Sequence, residues 1–134
     1  MDLATAIRTC LHKYVTFSGR ARRAEFWWWV LAYFAASTVA VIFDAAAFGH
    51  SNALFSGVLS LAVFLPTVAV AARRLHDIDK SGWWQLLWLI PLIGPLVLLF
   101  WWTRPGETGP NRFGLDPINP AAGADASFVD PAGM

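Results

Sequence analysis

The chain has 134 residues, of which 57% are hydrophobic and only 14% are charged, with a formal net charge of +1. About a quarter of the residues in soluble domains are charged, so this composition excludes an ordinary soluble globular domain. The small net charge gives no reason to expect a nucleic-acid partner. One cysteine excludes an intrachain disulfide, and no Cys/His spacing is typical of a zinc site, so we expect no metal and no cofactor.

The first residues predict an amphipathic helix over about 2–17. Apolar residues recur at helical spacing, while Arg8, His12 and Lys13 occupy other faces. Such a helix can lie in the headgroup plane, or its apolar stripe can pack on neighbouring protein, and the pattern leaves both open. Residues 1–25 are polar and basic, and the apolar run after them is too long for a signal-peptide core, so we expect that run to be retained.

Three long apolar segments predict membrane spans, at about 26–48, 53–72 and 83–102. About 20 apolar residues in a helix match a hydrocarbon core of roughly 30 Å. Pro66 predicts a kink in the second span, since neighbouring groups can satisfy the carbonyl that a proline frees.

The third segment has two alternative topologies. Tryptophan pairs at 83–84 and 101–102 bracket it, as an aromatic belt at both interfaces requires, which favours a crossing and an external tail. The sequence from Pro91 to Pro95 at its centre instead permits two half-helices to fold back as a re-entrant hairpin. Because irregular backbone in lipid needs protein cover, we expect the crossing and keep the hairpin as the alternative.

The predicted fold is therefore an all-α membrane protein with one interfacial helix and three membrane segments. A membrane domain occupies residues 1–114. Gly, Pro, Ala and Asn dominate the rest of the chain, which predicts a disordered tail over 115–134.

Positive charge is concentrated on one predicted side of the membrane. Five Lys and Arg residues precede the first span and three lie between the second and third, whereas the loop between the first two has none. The positive-inside bias places the charged side in the cytoplasm. We therefore expect a multi-pass protein with a cytoplasmic N-terminus.

Three strings carry a resemblance to a known family: FSGRARRAEFW at 17–27, RRLHDIDKSGWW at 73–84 and GPNRFGLDP at 109–117. Together they resemble the small bacterial inner-membrane proteins of domain of unknown function 805, over about residues 11–117. Asp79 stands where the pattern has glycine. The resemblance implies a bacterial inner-membrane location and a shared architecture, and it supplies no reaction, ligand or catalytic residue.

The cations of the first two motifs form a candidate site for anionic lipid headgroups or a protein partner: Arg20, Arg22, Arg23, Arg73, Arg74 and Lys80. Each cation near the surface attracts anionic lipid by about 1 kcal/mol. The same residues can instead serve only as topology determinants. Glu25, Asp77 and Asp79 are candidates for structural ion pairs or helix capping.

We expect a non-catalytic protein that binds membrane lipid or a protein partner. The alternative is a subunit of a small transporter or channel, in which homo-oligomers line a path with Asp44, His76 and Asp77. A third interpretation, a membrane enzyme acting on lipid, requires His76 as acid or base, but no nucleophile stands in a recognisable motif. Small residues in the first two spans permit self-association.

Overall fold

The computed structural model describes residues 1–49 and 52–119, and the predicted tail beyond residue 119 lies outside them. These residues form five helices and no β-strand: α1 (Leu3–His12), α2 (Arg23–Phe48), α3 (Leu54–Asp77), a 3₁₀ helix (Gly82–Leu89) and α4 (Ile93–Thr103). The all-helical class is therefore confirmed for the described chain. Two helices, α2 and α3, are long and apolar enough to cross a membrane, whereas the third predicted segment consists of two shorter helices.

The chain divides into two compact units, Met1–Thr16 with Ala24–Ala69, and Phe17–Arg23 with Val70–Met134. In the first unit, α1 packs on protein through one part of its surface, whereas Leu3 and Leu11 of its apolar stripe are exposed. Ala6 and Cys10 are fully buried, whereas Arg8 and His12 are exposed. Of the two arrangements that the amphipathic pattern leaves open, this is packing on neighbouring protein.

A proline in α3 creates the polar contact that fixes the N-terminal segment within the first unit. Pro66 has no backbone N–H, so the carbonyl of Ala62, four residues earlier, loses its helical partner. The hydroxyl of Tyr14 donates a hydrogen bond to that carbonyl. Tyr14 thus satisfies a backbone group that would otherwise be unpaired in an apolar helix.

The start of α3 is capped by a side chain of α2. The buried carboxylate of Asp44 accepts the backbone N–H of Phe55 at 2.7 Å and that of Ser56 at 3.0 Å, and the Ser56 hydroxyl at 2.6 Å. The first N–H groups of a helix have no partner within the helix, and an aspartate oxygen is a preferred acceptor for them.

In the second unit, the 3₁₀ helix and α4 form a tight hairpin. The turn between them includes Leu92 at φ +66°, and the ring centroids of Trp84 and Trp101 are 5.5 Å apart at the other end. Gly94 permits the close approach, because a Cβ there would lie 1.6 Å from the Leu87 carbonyl oxygen. The two tryptophan pairs that bracket this segment in the sequence therefore lie together, at the base of the hairpin.

Candidate functional site

Three segments that are far apart in the sequence meet in the second unit. The backbone N–H of Ala21 donates to the Arg73 carbonyl at 2.9 Å, and the N–H of Glu107 donates to the Asp77 carbonyl at 2.7 Å. The side-chain amide of Asn111 donates to the His76 carbonyl at 2.9 Å. The three motifs of the sequence analysis are thus brought to the C-terminal end of α3.

The centre of this arrangement is a buried group of Arg20, Arg74 and Asp77, which we call the clasp. One Asp77 oxygen accepts from Arg20 at 2.9 Å, and the other accepts from Arg74 at 2.9 Å. All three side chains are at most 2% exposed. A carboxylate between two guanidinium groups compensates charges that would be costly to bury alone.

Backbone carbonyls complete the surroundings of Arg20. Its terminal nitrogens donate to the carbonyls of Glu107 at 2.5 Å and Gly109 at 2.6 Å. Because a planar guanidinium presents its donors in a fixed fork, these contacts define the path of the chain after α4.

Arg74 closes the C-terminal end of α4. Its Nε donates to the Trp102 carbonyl at 3.2 Å, and a terminal nitrogen donates to the Arg104 carbonyl. Arg23 donates to the neighbouring Thr103 carbonyl at 3.2 Å. The last carbonyls of a helix lack intrahelical partners, and cations stabilise that end of the helix dipole.

A glycine lets the chain pass directly over the clasp. A Cβ on Gly106 would lie 1.9 Å from an Asp77 carboxylate oxygen. Any larger residue at position 106 would therefore push the segment that follows α4 away from the clasp.

His76 is held in one orientation beside the clasp. Its ring stacks on Phe113 with centroids 4.0 Å apart and planes 3° apart. Nδ1 lies 2.8 Å from the Gly19 carbonyl, so the neutral ring carries its proton on Nδ1. This arrangement positions Phe113 against the end of α3.

The backbone conformation at Asp79 is one that glycine also adopts. Its backbone has φ +59°, a left-handed conformation that glycine adopts freely and that aspartate tolerates better than most residues. The side chain pairs with the exposed Arg112 at 3.1 Å. The position where the resemblance implies glycine thus carries a surface ion pair in this chain.

The other residues predicted from the sequence differ in exposure. Arg73 and Glu25 are buried, Arg23 is exposed, and Arg22 and Lys80 are partly exposed. The Lys80 ammonium lies 4.8 Å from the centroid of the Trp101 ring. Three of the six predicted cations, Arg20, Arg73 and Arg74, are therefore inside the protein.

Sequence reasoning missed most of the groups that bind the clasp, because they are backbone carbonyls and carry no side-chain signal.

The sequence analysis also missed Asp116, which organises the last described segment. Its carboxylate accepts the N–H of Gly109 at 3.0 Å and of Ile118 at 2.9 Å. Burial acts to raise the pKa of Asp116, but hydrogen bonds from Ile118, Gly109 and Asn119 together hold that pKa below its ordinary value.

Comparisons with known proteins agree with these motifs. Residues 14–115, well over half of the chain, match the family described as "Protein of unknown function (DUF805)". The chain belongs to the DUF805 family. This confirms the resemblance carried by the three motifs, all of which lie in or adjoin the matched region.

Two relatives from Escherichia coli strain K12 align with most of the chain, and a third aligns with about half of it. "Inner membrane protein YhaH" is 44% identical over 111 residues, covering 80% of this chain and 91% of the relative. "Inner membrane protein YhaI" is 44% identical over 107 residues, covering 80% and 90%. "Uncharacterized protein YiiR" is 32% identical over 75 residues, covering 56% and 50%. No solved structure matches the chain.

This DUF805 protein is accordingly a protein of the inner membrane, with two helices of spanning length. The family description names no reaction, and the relatives' names indicate none. The clasp likewise has the chemistry of a structural ion-pair network, since the guanidinium nitrogens of Arg20 and Arg74 that point inward are bound to protein oxygens.

Proposed function

We propose that this protein is a non-catalytic inner-membrane protein that inserts residues 82–103 as a re-entrant hairpin and binds anionic lipid headgroups around its base. The observation that carries the proposal is that the tip of the hairpin exposes large apolar side chains and pairs several of its own backbone N–H groups. The N-terminus and the tail then both lie on the cytoplasmic side, with the eight Lys and Arg residues from Arg20 onward.

The hairpin has the length of a half-crossing. Eight residues of 3₁₀ helix at about 2.0 Å per residue and eleven residues of α-helix at about 1.5 Å each give arms of about 16 Å. A hydrocarbon core is roughly 30 Å thick, so each arm reaches about its middle.

Part of the backbone at the tip is hydrogen-bonded within the hairpin. The N–H of Ile90 donates to Leu87, that of Ile93 to Pro91 and that of Gly94 to Ile90. Pro95, within the first turn of α4, has no N–H to satisfy. Unsatisfied polar groups are what make irregular backbone costly in lipid, so these bonds lower that cost.

The side chains at the tip favour hydrocarbon. Leu89 is 80% exposed, Leu92 is 79% exposed and Ile93 is 67% exposed. Exposed apolar groups of this size at a turn are unfavourable in water and favourable in lipid. Insertion of the tip into the membrane would bury these three side chains in hydrocarbon.

Cations and tryptophans surround the base of the hairpin. Of the six cations predicted from the sequence, we propose that Arg22, Arg23 and Lys80, which we call the rim, meet headgroups, while Arg20, Arg73 and Arg74 hold the fold. Arg23 is exposed, and Arg22 and Lys80 are partly exposed, so these side chains are accessible to headgroups. Tryptophan and long cationic side chains are typical of the headgroup level.

A reporter fused after Met134 tests the hairpin. Alkaline phosphatase is active only outside the cytoplasm and green fluorescent protein only within it under standard export. We expect fluorescence and no phosphatase activity from the C-terminal fusions, with a fusion after Gly49 as the matched control of opposite behaviour. Phosphatase activity at the C-terminus would mean that residues 82–103 cross the membrane.

Native mass spectrometry of the detergent-purified protein tests the rim. We expect Arg23→Gln with Lys80→Gln to lower retention of phosphatidylglycerol by roughly fivefold per cation, because each is worth about 1 kcal/mol. Arg112→Gln is the matched control, since that exposed arginine already pairs with Asp79. Equal retention by all three proteins would reject headgroup binding by the rim.

No specific observation favours the two alternative functions, a transporter or channel subunit and a membrane enzyme. The transporter interpretation uses Asp44, whose carboxylate is already bound to three donors at the start of α3. The enzyme interpretation uses His76, whose ring is stacked on Phe113.

A further inference from the structure

The segment at residues 107–114 crosses the end of α3, and we call it the strap. At its first end, backbone carbonyls accept hydrogen bonds from Arg20 of the clasp. At its second end, the side-chain amide of Asn111 donates to the His76 carbonyl at 2.9 Å, and the Phe113 ring stacks on the His76 ring. The clasp therefore holds the first end, and a single histidine holds much of the second.

The ring of His76 has little contact with water, since the residue is 8% exposed. Phe113 covers one face of the ring, and Nδ1 lies 2.8 Å from the Gly19 carbonyl. On the other side of the ring, a Cβ built on Gly82 would lie 3.5 Å from Nε2. Because Nδ1 carries the proton of the neutral ring, a second proton has to add to Nε2, in this enclosed position.

The charged groups around His76 do not offset a positive charge on its ring. In the segments packed there, α3 and the loop after it carry Arg73, Asp77, Asp79 and Lys80, the N-terminal segment carries Arg20, and the second end of the strap carries Arg112. Asp77 is bound between the two guanidinium groups of the clasp, and Asp79 pairs with Arg112. Both of these acids are therefore already paired with arginines.

The surroundings lower the pKa of His76, which lies beyond the predicted span at 53–72. Burial is the main cause, and the charges of Arg112 and Arg73 add to it, against the hydrogen bond with Gly19, which raises the pKa. The neutral ring is therefore the form that the docked strap stabilises, and protonation favours states in which the ring meets water.

The strap is the part that can move away from the ring. The side chains of the clasp are at most 2% exposed, so the end of α3 is held firmly. In contrast, Arg112 is exposed and Phe113 is only partly buried. Lifting the second end of the strap opens the ring to water without breaking the clasp.

We propose that residues 110–114 form a pH-sensitive latch, which is docked on α3 while His76 is neutral and is released when His76 is protonated. Release exposes Phe113 and frees Arg112 from Asp79, while the clasp retains the first end of the strap. Docking is strongest above the ordinary histidine pKa of about 6.5 and weakens as the pH falls through the lowered pKa of His76. The latch does not depend on how the hairpin sits in the membrane or on headgroup binding by the rim.

A fluorinated phenylalanine at position 113 of the full-length protein in detergent tests the latch. Fluorine saturation-transfer NMR measures the fraction of this ring that has left the stack. Between about pH 7.5 and 5, we expect that fraction to rise by up to about tenfold for each unit by which the pKa of His76 lies below its ordinary value.

Two histidine variants show which group operates the latch. His76→Phe keeps an aromatic ring for the stack but cannot be protonated, so its undocked fraction should not change over this pH range. His12→Gln is the matched control, because His12 is an exposed histidine of α1, and it should behave as wild type. An undocked fraction in wild type that does not change with pH, or an equal rise in His76→Phe, would overturn the proposal.

The titration of His76 itself gives a result even if His76→Phe fails to fold. The ring signals of isotope-labelled histidine in the wild-type protein can be assigned by substituting the other two histidines. We expect the His76 ring to titrate below about 6.5, over the same pH range in which the ring at position 113 leaves the stack. Titration at or above that value would mean that attraction between the protonated ring and Phe113 outweighs burial, and the latch would be rejected.

Discussion

Asp44 and Asp77 are both buried acids, and the two units use them in opposite ways. Asp44, in the first unit, accepts neutral donors among the described residues, from the backbone of Phe55 and from Ser56. Asp77, in the second unit, lies between the guanidinium groups of Arg20 and Arg74. In the first unit a polar side chain caps the unpaired N–H groups at the start of one helix. In the second unit a network of charged side chains joins segments that are distant in the sequence.

The largest loss of stability is expected from removing the negative charge of Asp77 in the clasp. Asp77→Asn keeps the shape but leaves two buried guanidinium groups facing a neutral amide. Breaking a buried ion pair by removing one partner costs about 3–5 kcal/mol. We expect a corresponding loss of stability in thermal and denaturant unfolding of the detergent-solubilised protein.

Asp79→Asn is the matched control for that experiment. Asp79 also pairs with an arginine, Arg112, but both side chains are well exposed. Exposed pairs contribute about 0–1 kcal/mol. If Asp77→Asn were no more destabilised than Asp79→Asn, the clasp would not be the element that holds the second unit together.

The next largest loss of stability is expected in the first unit, from removing the hydroxyl of Tyr14. Tyr14→Phe leaves the Ala62 carbonyl without a partner, which costs about 1–3 kcal/mol for a buried group. In a Pro66→Ala background, residue 66 regains an N–H that can reach the same carbonyl. Tyr14→Phe should therefore be much less destabilising in that background, as a double-mutant cycle of melting temperatures would measure.

Tyr33→Phe controls for loss of a tyrosine hydroxyl in the same unit, and it should show no coupling to Pro66→Ala. Additive effects of Tyr14→Phe and Pro66→Ala would mean that Tyr14 acts through packing alone.

Much of the first unit could be predicted from the sequence, and less of the second. Long apolar runs and helical periodicity depend only on local sequence, so α1, α2 and α3 were expected at nearly these positions. The folding of residues 82–103 into two short helices was not the favoured prediction, because two tryptophan pairs at the ends of an apolar run suit one continuous helix equally well. The contact of Trp84 with Trp101 joins distant residues and leaves no local signal in the sequence. How this hairpin sits in a membrane is what the reporter fusions proposed above measure.

The buried cations were unpredictable for a related reason. Arg20, Arg74 and Lys80 look alike in a basic loop, but only the first two meet acceptors inside the protein. Most of those acceptors are carbonyls, such as Trp102 and Gly109, which every residue possesses. Asp77 was the one partner that its charge could reveal.

A smaller effect is expected at Asp44, since its partners are neutral. Asp44→Asn keeps an acceptor oxygen for the first turn of α3 and should lower the melting temperature by less than Asp44→Ala, which removes the cap entirely. Neither substitution leaves a buried cation behind. A penalty for Asp44→Asn as large as that of Asp77→Asn would show that charge matters equally in both units, and the comparison would fail.

The smallest effect is a pH dependence confined to the segment around Asp116. Hydrogen bonds hold the pKa of this carboxyl below its ordinary value, so the ionised form stabilises the folded segment. That contribution is complete above the ordinary value and is lost as the pH falls through the lowered pKa. Amide chemical shifts of Gly109 and Ile118, which donate to Asp116, should titrate below the ordinary aspartate range and become pH-independent there in Asp116→Asn. Titration at or above the ordinary value would instead mean that burial outweighs the backbone donors at this site.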